Sequence, residues 1–391
     1  MKIKLPIPKF VLLLICAGCI FMLSQCSKSD LFVPYAPYAP ATPRLSDHSS
    51  IAFIARTTYN SADWSLYIMD KSGNNARRLF NRPVACRAPI RSHCGTKLLF
   101  IAETFNTGVN NDNSVWFTLE RELYIINTDG TNRTLIDRIG ATEVGNFGGA
   151  SWSPCERFII YVRGCSDNAY LIRYCISSNT RAILPTEGNV CSPQFSPCGR
   201  YIAYCATAES DITDMTLFHN HNIHIMDING NNSRLIIRNA GTPRWSPQGN
   251  RIAYLAVGQK NSPQIFVANT DGSNQRQLTH SIYLSFWGSA NGNRDPQWTP
   301  DGKRIVYVSW ENTRPEIFIM NSDGSNQTRL TTAEFGDKDP EITPDGNFIL
   351  FSSTRTRTVA GAVSPAIYIM TLDGKDERQL WGTGIHPIAL R

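Results

Sequence analysis

The chain has 391 residues, 42% hydrophobic and 18% charged, with a net charge of +6 spread along its length. That balance is ordinary for a globular protein. Without a long basic run it is too weak to indicate a nucleic-acid partner, although it suits an acidic surface or an anionic polymer. Length alone implies two or three domains, unless internal repeats set the architecture.

The N-terminus reads as a targeting segment. Lys2, Lys4 and Lys9 precede an unbroken apolar run over residues 10–23, too short to span a bilayer comfortably and suited to the core of an export signal. Leu23-Ser24-Gln25-Cys26 follows and resembles the bacterial lipobox, in which cleavage precedes a cysteine that then carries lipid; Gln25 departs from the small residue expected there. Cys19, after Cys16-Ala17-Gly18, is the rival, but Cys26 leaves a full apolar core and is followed by polar residues. The expectation is a signal segment over 1–25, lipidation at Cys26 and a tether over 26–41. Four prolines in residues 31–43 remove helix and ladder donors, so the tether should be extended and semi-rigid. The chain is then exported and lipid-anchored, to the periplasm or the cell surface.

From residue 42 to 391 one pattern recurs. Its clearest copy runs Pro296-Gln297-Trp298-Thr299-Pro300-Asp301-Gly302, Arg304-Ile305-Val306-Tyr307, Glu316-Ile317-Phe318-Ile319, Asp323-Gly324-Ser325-Asn326 and Thr328-Arg329-Leu330. The residues aligned with its Trp are Leu45, Arg91, Trp152, Phe195, Trp245, Trp298 and Ile342, with Ala389 as a truncated eighth. Seven intervals mean seven units. Each reads as four short strands, A to D: a Pro-x-Trp strand, a Pro-Asp-Gly turn, two strands rich in β-branched and aromatic residues, and an Asp-Gly-Ser-Asn turn into a fourth strand. Four-stranded units of this length, each unable to bury both faces alone, predict an all-β, seven-bladed β-propeller of four-stranded antiparallel blades. Residues 42–45 and 384–389 both fit the inner strand of the first blade, and the C-terminal stretch is the favoured closure.

The string Pro-x-Trp-Ser-Pro-Asp-Gly, Ile-Ala-Tyr, Asn-x-Asp-Gly, Arg-x-Leu-Thr resembles the repeat of the TolB-like propeller family, over about residues 42–391. The resemblance implies a propeller that binds envelope proteins. It departs from the family's namesake, which has six blades behind an N-terminal domain.

The A–B and C–D turns are short. The long connections are B–C at 103–121, 206–222 and 354–365, and D–A at 137–148 and 280–294. In an antiparallel blade these two classes of connection share one end, and recognition concentrates on variable loops held by a rigid scaffold. The candidate binding residues there are Trp116, Phe117, Phe218, His219, His221, Tyr283, Phe286, Trp287, Trp310, Arg355 and Arg357, an aromatic and basic set suited to a protein, peptide or glycan. Export permits disulfides among Cys86, Cys94, Cys155, Cys165, Cys175, Cys191, Cys198 and Cys205. Cys94, Cys155, Cys175 and Cys198 fall at the short-turn end and the other four toward the long-loop end.

No catalytic signature is present: no Gly-x-Ser-x-Gly elbow, no phosphate or dinucleotide loop. His219 and His221 lack an assignable metal partner, and the Asn-x-Asp-Gly-Ser-Asn strings lack the further carboxylates of a calcium loop. No metal and no cofactor are expected. The sequence predicts a non-catalytic envelope lipoprotein that binds a protein or peptide partner through the long-loop end. The alternative is a carbohydrate-active protein or glycan-binding module, since the family also resembles oligogalacturonate lyases, seven-bladed and with metal-bound His residues in the central channel.

Overall fold

The computed structural model describes residues 50–56, 64–80, 85–109, 115–143, 145–165, 168–207, 221–258, 262–281, 292–310, 314–332, 336–357 and 363–390. The expected signal segment, Cys26, the expected tether and residues 42–45 lie outside the described residues, as do Phe218, His219, Tyr283, Phe286 and Trp287. The described residues form seven four-stranded antiparallel sheets, a seven-bladed β-propeller as the repeat predicts.

Blade one is completed by the far end of the chain. Ile385–Ala389 is its inner strand A, followed by Ser50–Arg56, Trp64–Asp70 and Arg77–Arg78. Ile51 pairs with Ala389 and Ala52 with Ile388, so the last repeat copy closes the ring. Blades two to seven follow in order over 85–139, 146–184, 189–237, 240–277, 294–329 and 337–381. Strands A end on Arg91, Trp152, Phe195, Trp245, Trp298, Ile342 and Ala389, the aligned positions of the repeat.

Strand B is apolar nearly throughout because a neighbouring blade covers each of its faces. Ile305, Val306 and Tyr307 in blade six are all fully buried, as are Ile349, Leu350 and Phe351 in blade seven. The apolar side chains sort into clusters between consecutive blades. One joins Ala253, Leu255 and Ile265 of blade five to Trp298, Ile305 and Tyr307 of blade six. Another joins Phe348, Leu350 and Ile367 of blade seven to Ile51, Phe53 and Ala389 of blade one. In most blades the ring ending the strand B core lies directly across from a ring on strand C, as in Tyr254 and Phe266, 5.5 Å apart, or Phe351 and Tyr368, 5.6 Å apart. Blade three departs: Tyr161 faces Ile172 and instead donates its hydroxyl to Asp137 at 2.8 Å.

The short turns are built as the sequence implies. Gly302 adopts φ 70° in the A–B turn of blade six, and an added Cβ would meet the Gln248 side chain of blade five at 2.3 Å. Asp323 in the C–D turn accepts from both the backbone N–H and the hydroxyl of Ser325, at 2.9 and 2.6 Å. Its carboxylate is thereby consumed by the turn.

Three of the long connections are more regular than expected. Residues 103–121 are largely a hairpin, not a loop: Lys97–Val109 and Val115–Asn127 pair continuously from Glu103 opposite Arg121 to Val109 opposite Val115. Thr104, Phe105, Thr107 and Val109 are strand-favouring residues that carry the ladder past the blade's end. In blade seven, Phe348–Arg357 and Val363–Thr371 likewise extend into 354–365. Asp137 lies within strand D of blade two (Thr134–Ile139), which shortens the 137–148 connection.

Candidate functional site at the long-loop end

Of the predicted binding residues, His221, Trp310 and Arg355 have described side chains. Trp116 and Phe117 are strand residues whose backbones pair with Gly108 and Thr107, and Arg357 pairs with Val363. Trp310 is half-buried just beyond strand B of blade six, with the Lys338 ammonium of blade seven 5.6 Å from its ring centroid. Arg355 is tied into its own blade. It donates to Asp337 at 2.6 Å, pairs with Glu377 and stacks over Phe351 and Tyr368, at 5.8 and 5.4 Å. Asp337 is fully buried, so the guanidinium serves the fold by compensating an enclosed charge.

The seven cysteines with described side chains are thiols in this structure. Cys94, Cys155 and Cys198 occupy the Asp position of the A–B turn, exposed, with Sγ 3.5, 3.4 and 3.3 Å from the turn serine that precedes each. Cys175 ends strand C of blade three. Cys86 is buried, and burial pushes its thiol up to about 12. Cys191 and Cys205 lie opposite one another in blade four. The Cys165 side chain lies outside the described residues.

A set of residues at the channel was missed by sequence reasoning. Each strand A runs inward from the long-loop end, and its ladder shifts register in its first half. There Ser192, Thr242, Asp295, Asp339 and His386 take positive φ, between 48° and 53°, each just before a proline. A bulge re-aims the side chain it carries. In blades six, seven and one the re-aimed side chains meet: His386 Nδ1 is 3.5 Å from Asp339 Oδ1, and Asp295 is within electrostatic reach of Asp339, His386 and Arg244. All three residues lie in the first half of inner strands that run from the long-loop end, which puts the set at the channel mouth on that side. The Asp295 side chain is exposed to the channel, and partial loss of bulk water around it raises its carboxyl above the ordinary range; Arg244 opposes this and Asp339 adds to it.

Further in, Arg91 of blade two reaches Glu341 of blade seven at 3.5 Å. Burial raises the Glu341 carboxyl, against the effect of Arg91, Arg244 and Gln297. The x residues of Pro-x-Trp also stitch the ring. Gln194 accepts from the Trp245 backbone N–H at 2.8 Å, Ser151 from Phe195 N–H at 3.2 Å, and Gln297 donates to the Pro340 carbonyl. The signal that could have found this set is the pair of positions flanking the repeated proline. At the opposite end, blades five and six frame a shallow groove of about 520 Å³ lined by Gln248, Arg251, Lys303 and Asp323. Among the described residues no group of three or more His, Cys, Asp or Glu side chains could hold a metal ion.

A family profile described as the TolB beta propeller domain matches residues 212–386. The Tol-Pal system protein TolB of Thioalkalivibrio sulfidiphilus is 34% identical over 85 residues, 21% of this chain and 18% of that protein. The match thus spans less than a fifth of the relative's length. Among solved structures, the β-propeller domain of the trilobed protease from Pyrococcus furiosus, described as having an open velcro topology, superposes with a TM-score of 0.58 at 12% identity, covering 85% of this chain and 94% of that one. The oligogalacturonate lyase of Vibrio parahaemolyticus superposes with a TM-score of 0.55 at 15% identity, covering 84% of each chain. At such identities the two structures speak to fold alone. Repeat and blade topology make this chain a seven-bladed β-propeller, and over residues 212–386 it is similar to the TolB beta propeller domain.

Proposed function

We propose that the protein is an exported, non-catalytic lipoprotein of the cell envelope that binds a protein or peptide partner at the long-loop end of its propeller. Residues 1–25 direct export, Cys26 carries the lipid and residues 26–41 space the propeller from the membrane. The observation that carries the reading is the channel mouth: Asp295, Asp339 and His386 converge from three blades, with Arg244 close by, at the end that also bears the long hairpins and connections. A mouth of mixed charge is matched by a polar or charged segment of a partner, and Trp310 beside Lys338 supplies an aromatic anchor at the rim. The relative that shares the repeat is described as a Tol-Pal system protein, which supports an envelope partner.

The test is affinity capture from detergent-solubilised envelope with wild-type chain and with Asp339→Asn, Arg244→Glu and Trp310→Ala variants, alongside metal analysis. A protein captured near one per chain, and weakened about tenfold or more by each substitution, a loss of ~1.4 kcal/mol, fits the reading. Bound metal near one per chain, no captured protein and release of unsaturated products from polygalacturonate would replace it with the lyase alternative.

A further inference from the structure

Cys191, Cys205 and His221 meet in blade four, with Arg244 of blade five within electrostatic reach. Cys191 lies on strand A (Asn189–Phe195) and Cys205 on strand B (Tyr201–Thr207), directly opposite each other. His221 opens strand C (His221–Asp227), opposite Thr207, and its side chain is hydrogen-bonded to Cys191. Opposed residues of an antiparallel pair have Cα atoms about 4.5–5.5 Å apart, within the span of about 4.4–6.8 Å that a disulfide bridges.

The register shift that follows Cys191 recurs in every blade, and at this position it brings the two strands close. In blade three the corresponding residue is Gly148, where an added Cβ would lie 3.0 Å from the Val162 Cβ. The corresponding pairs elsewhere are Arg87 with Ile101, Gly241 with Leu255, Arg294 with Val308, Lys338 with Ser352 and Ile385 with Ile54. Blade four alone places two thiols there.

Access to the two sulfurs is unequal. Cys205 is fully buried, whereas Cys191 and His221 are only partly buried. The hydrogen bond from Cys205, and then that from His221, hold the Cys191 thiol well below the ordinary thiol range; the same Cys191–Cys205 bond and burial push Cys205 well above it.

We propose that Cys191 and Cys205 form a redox site that undergoes thiol–disulfide exchange with an incoming disulfide, Cys191 attacking and Cys205 resolving. The Cys191 thiolate attacks one sulfur of the incoming disulfide, forming a mixed disulfide and releasing the other sulfur as a thiolate. Cys205 gives up its proton and attacks the Cys191 sulfur, which expels the second incoming thiolate. Two protein thiols lose two electrons and two protons; the incoming disulfide takes up both and leaves as two thiols. His221 is a positioning residue that holds the Cys191 thiolate. The product locks strand A of blade four to strand B beside the channel wall.

The test equilibrates the full chain, carrying Cys198→Ser, with mixtures of reduced and oxidised glutathione, followed by peptide mass spectrometry. Cys198→Ser is needed because no Lys or Arg separates positions 191 and 198, so trypsin would leave both cysteines in one peptide. The expected result is a two-electron transition that links the Cys191 and Cys205 peptides. Cys205→Ser should instead hold one glutathione on Cys191. His221→Asn should move the pH profile of Cys191 alkylation upward toward an ordinary thiol and slow alkylation near pH 6 by about tenfold, with Cys205→Ser, which keeps the donor, close to wild type. The groups that set this profile are Cys205, His221 and Ser192, with Arg244 of blade five acting on Cys205. Should Cys205→Ser fail to fold, Cys191→Ser serves, and Cys205 should then stay unmodified. The proposal is overturned if no 191–205 link forms at any glutathione ratio while Cys94 and Cys155 are modified, if Cys205 reacts in Cys191→Ser, or if His221→Asn leaves the alkylation profile unmoved.

Discussion

Trp298 donates its indole N–H to the backbone carbonyl of Arg244, 3.0 Å away and one blade earlier. Trp245 makes the same bond to Gln194 at 3.3 Å, and Trp152 to Ile90 at 3.1 Å. The inner strands of consecutive blades do not pair with one another, so their channel-side carbonyls need donors from elsewhere. A Trp at the end of strand A fills the interface with its ring and supplies that donor. Trp298→Phe keeps most of the apolar contact and should cost about 1 kcal/mol. Trp298→Ala should cost about 3–5 kcal/mol. Urea unfolding midpoints measure both, and a Trp298→Phe chain as stable as wild type would show that the hydrogen bond contributes nothing.

Arg355 compensates the buried Asp337, so its removal should act on stability before it acts on binding. Arg355→Ala leaves an enclosed carboxylate without its partner and should destabilise by about 3–5 kcal/mol. Adding Asp337→Asn to Arg355→Ala should recover part of that loss. A thermal melt that Arg355→Ala leaves unmoved would return Arg355 to the set of free surface residues.

Closure by the C-terminal strand sets the stability of the whole ring. Ile388 and Leu390 are buried against blades one and two. Ile388→Ala should cost about 2–4 kcal/mol. Deleting residues 384–391 should expose Ser50–Arg56 as an unprotected edge, and such edges pair with other chains. Size-exclusion chromatography of the truncated chain should show concentration-dependent association, and a monodisperse, fully folded truncation would argue against this closure.

Asp295 should weaken the fold as pH rises. Its carboxyl is raised in the folded state, chiefly because the channel limits the bulk water around this exposed side chain. Between the ordinary aspartate value, roughly 3.9, and the raised one, the native chain holds more protons than the unfolded chain, so stability falls as pH climbs through that window. Asp295→Asn removes the charge that causes this. Its urea midpoint should exceed wild type at pH 7 and match it below about pH 4. Equal midpoints at pH 7 would show that the channel mouth accommodates the charge freely.

Much of the scaffold could be read from local pattern. Strand B of blade six reads Ile305-Val306-Tyr307 because both faces are covered. The Asp-Gly-Ser-Asn turn reads as a turn because its Gly and Asn take positive φ and its Asp binds the next Ser. The candidate site was less legible. Arg355 was read as a surface cation because its nearest partners, Asp337 and Glu377, lie 18 and 22 residues away in sequence. Residues 103–121 were read as a loop because the repeat fixes where a blade's strands begin and leaves open how far they run beyond its edge.

The sequence by itself determined the blade, its four strands, its turns and the number of units. These follow from short-range rules on residue type and period, which act within a few residues. Only the tertiary structure decided that Ala389 closes blade one, that Asp295, Asp339 and His386 share the channel mouth, and that Cys191 faces Cys205. Each of these joins residues of different strands or blades. Ring closure fixes the distances between blades, and the register of strands A and B, shifted by the bulge, sets Cys191 against Cys205.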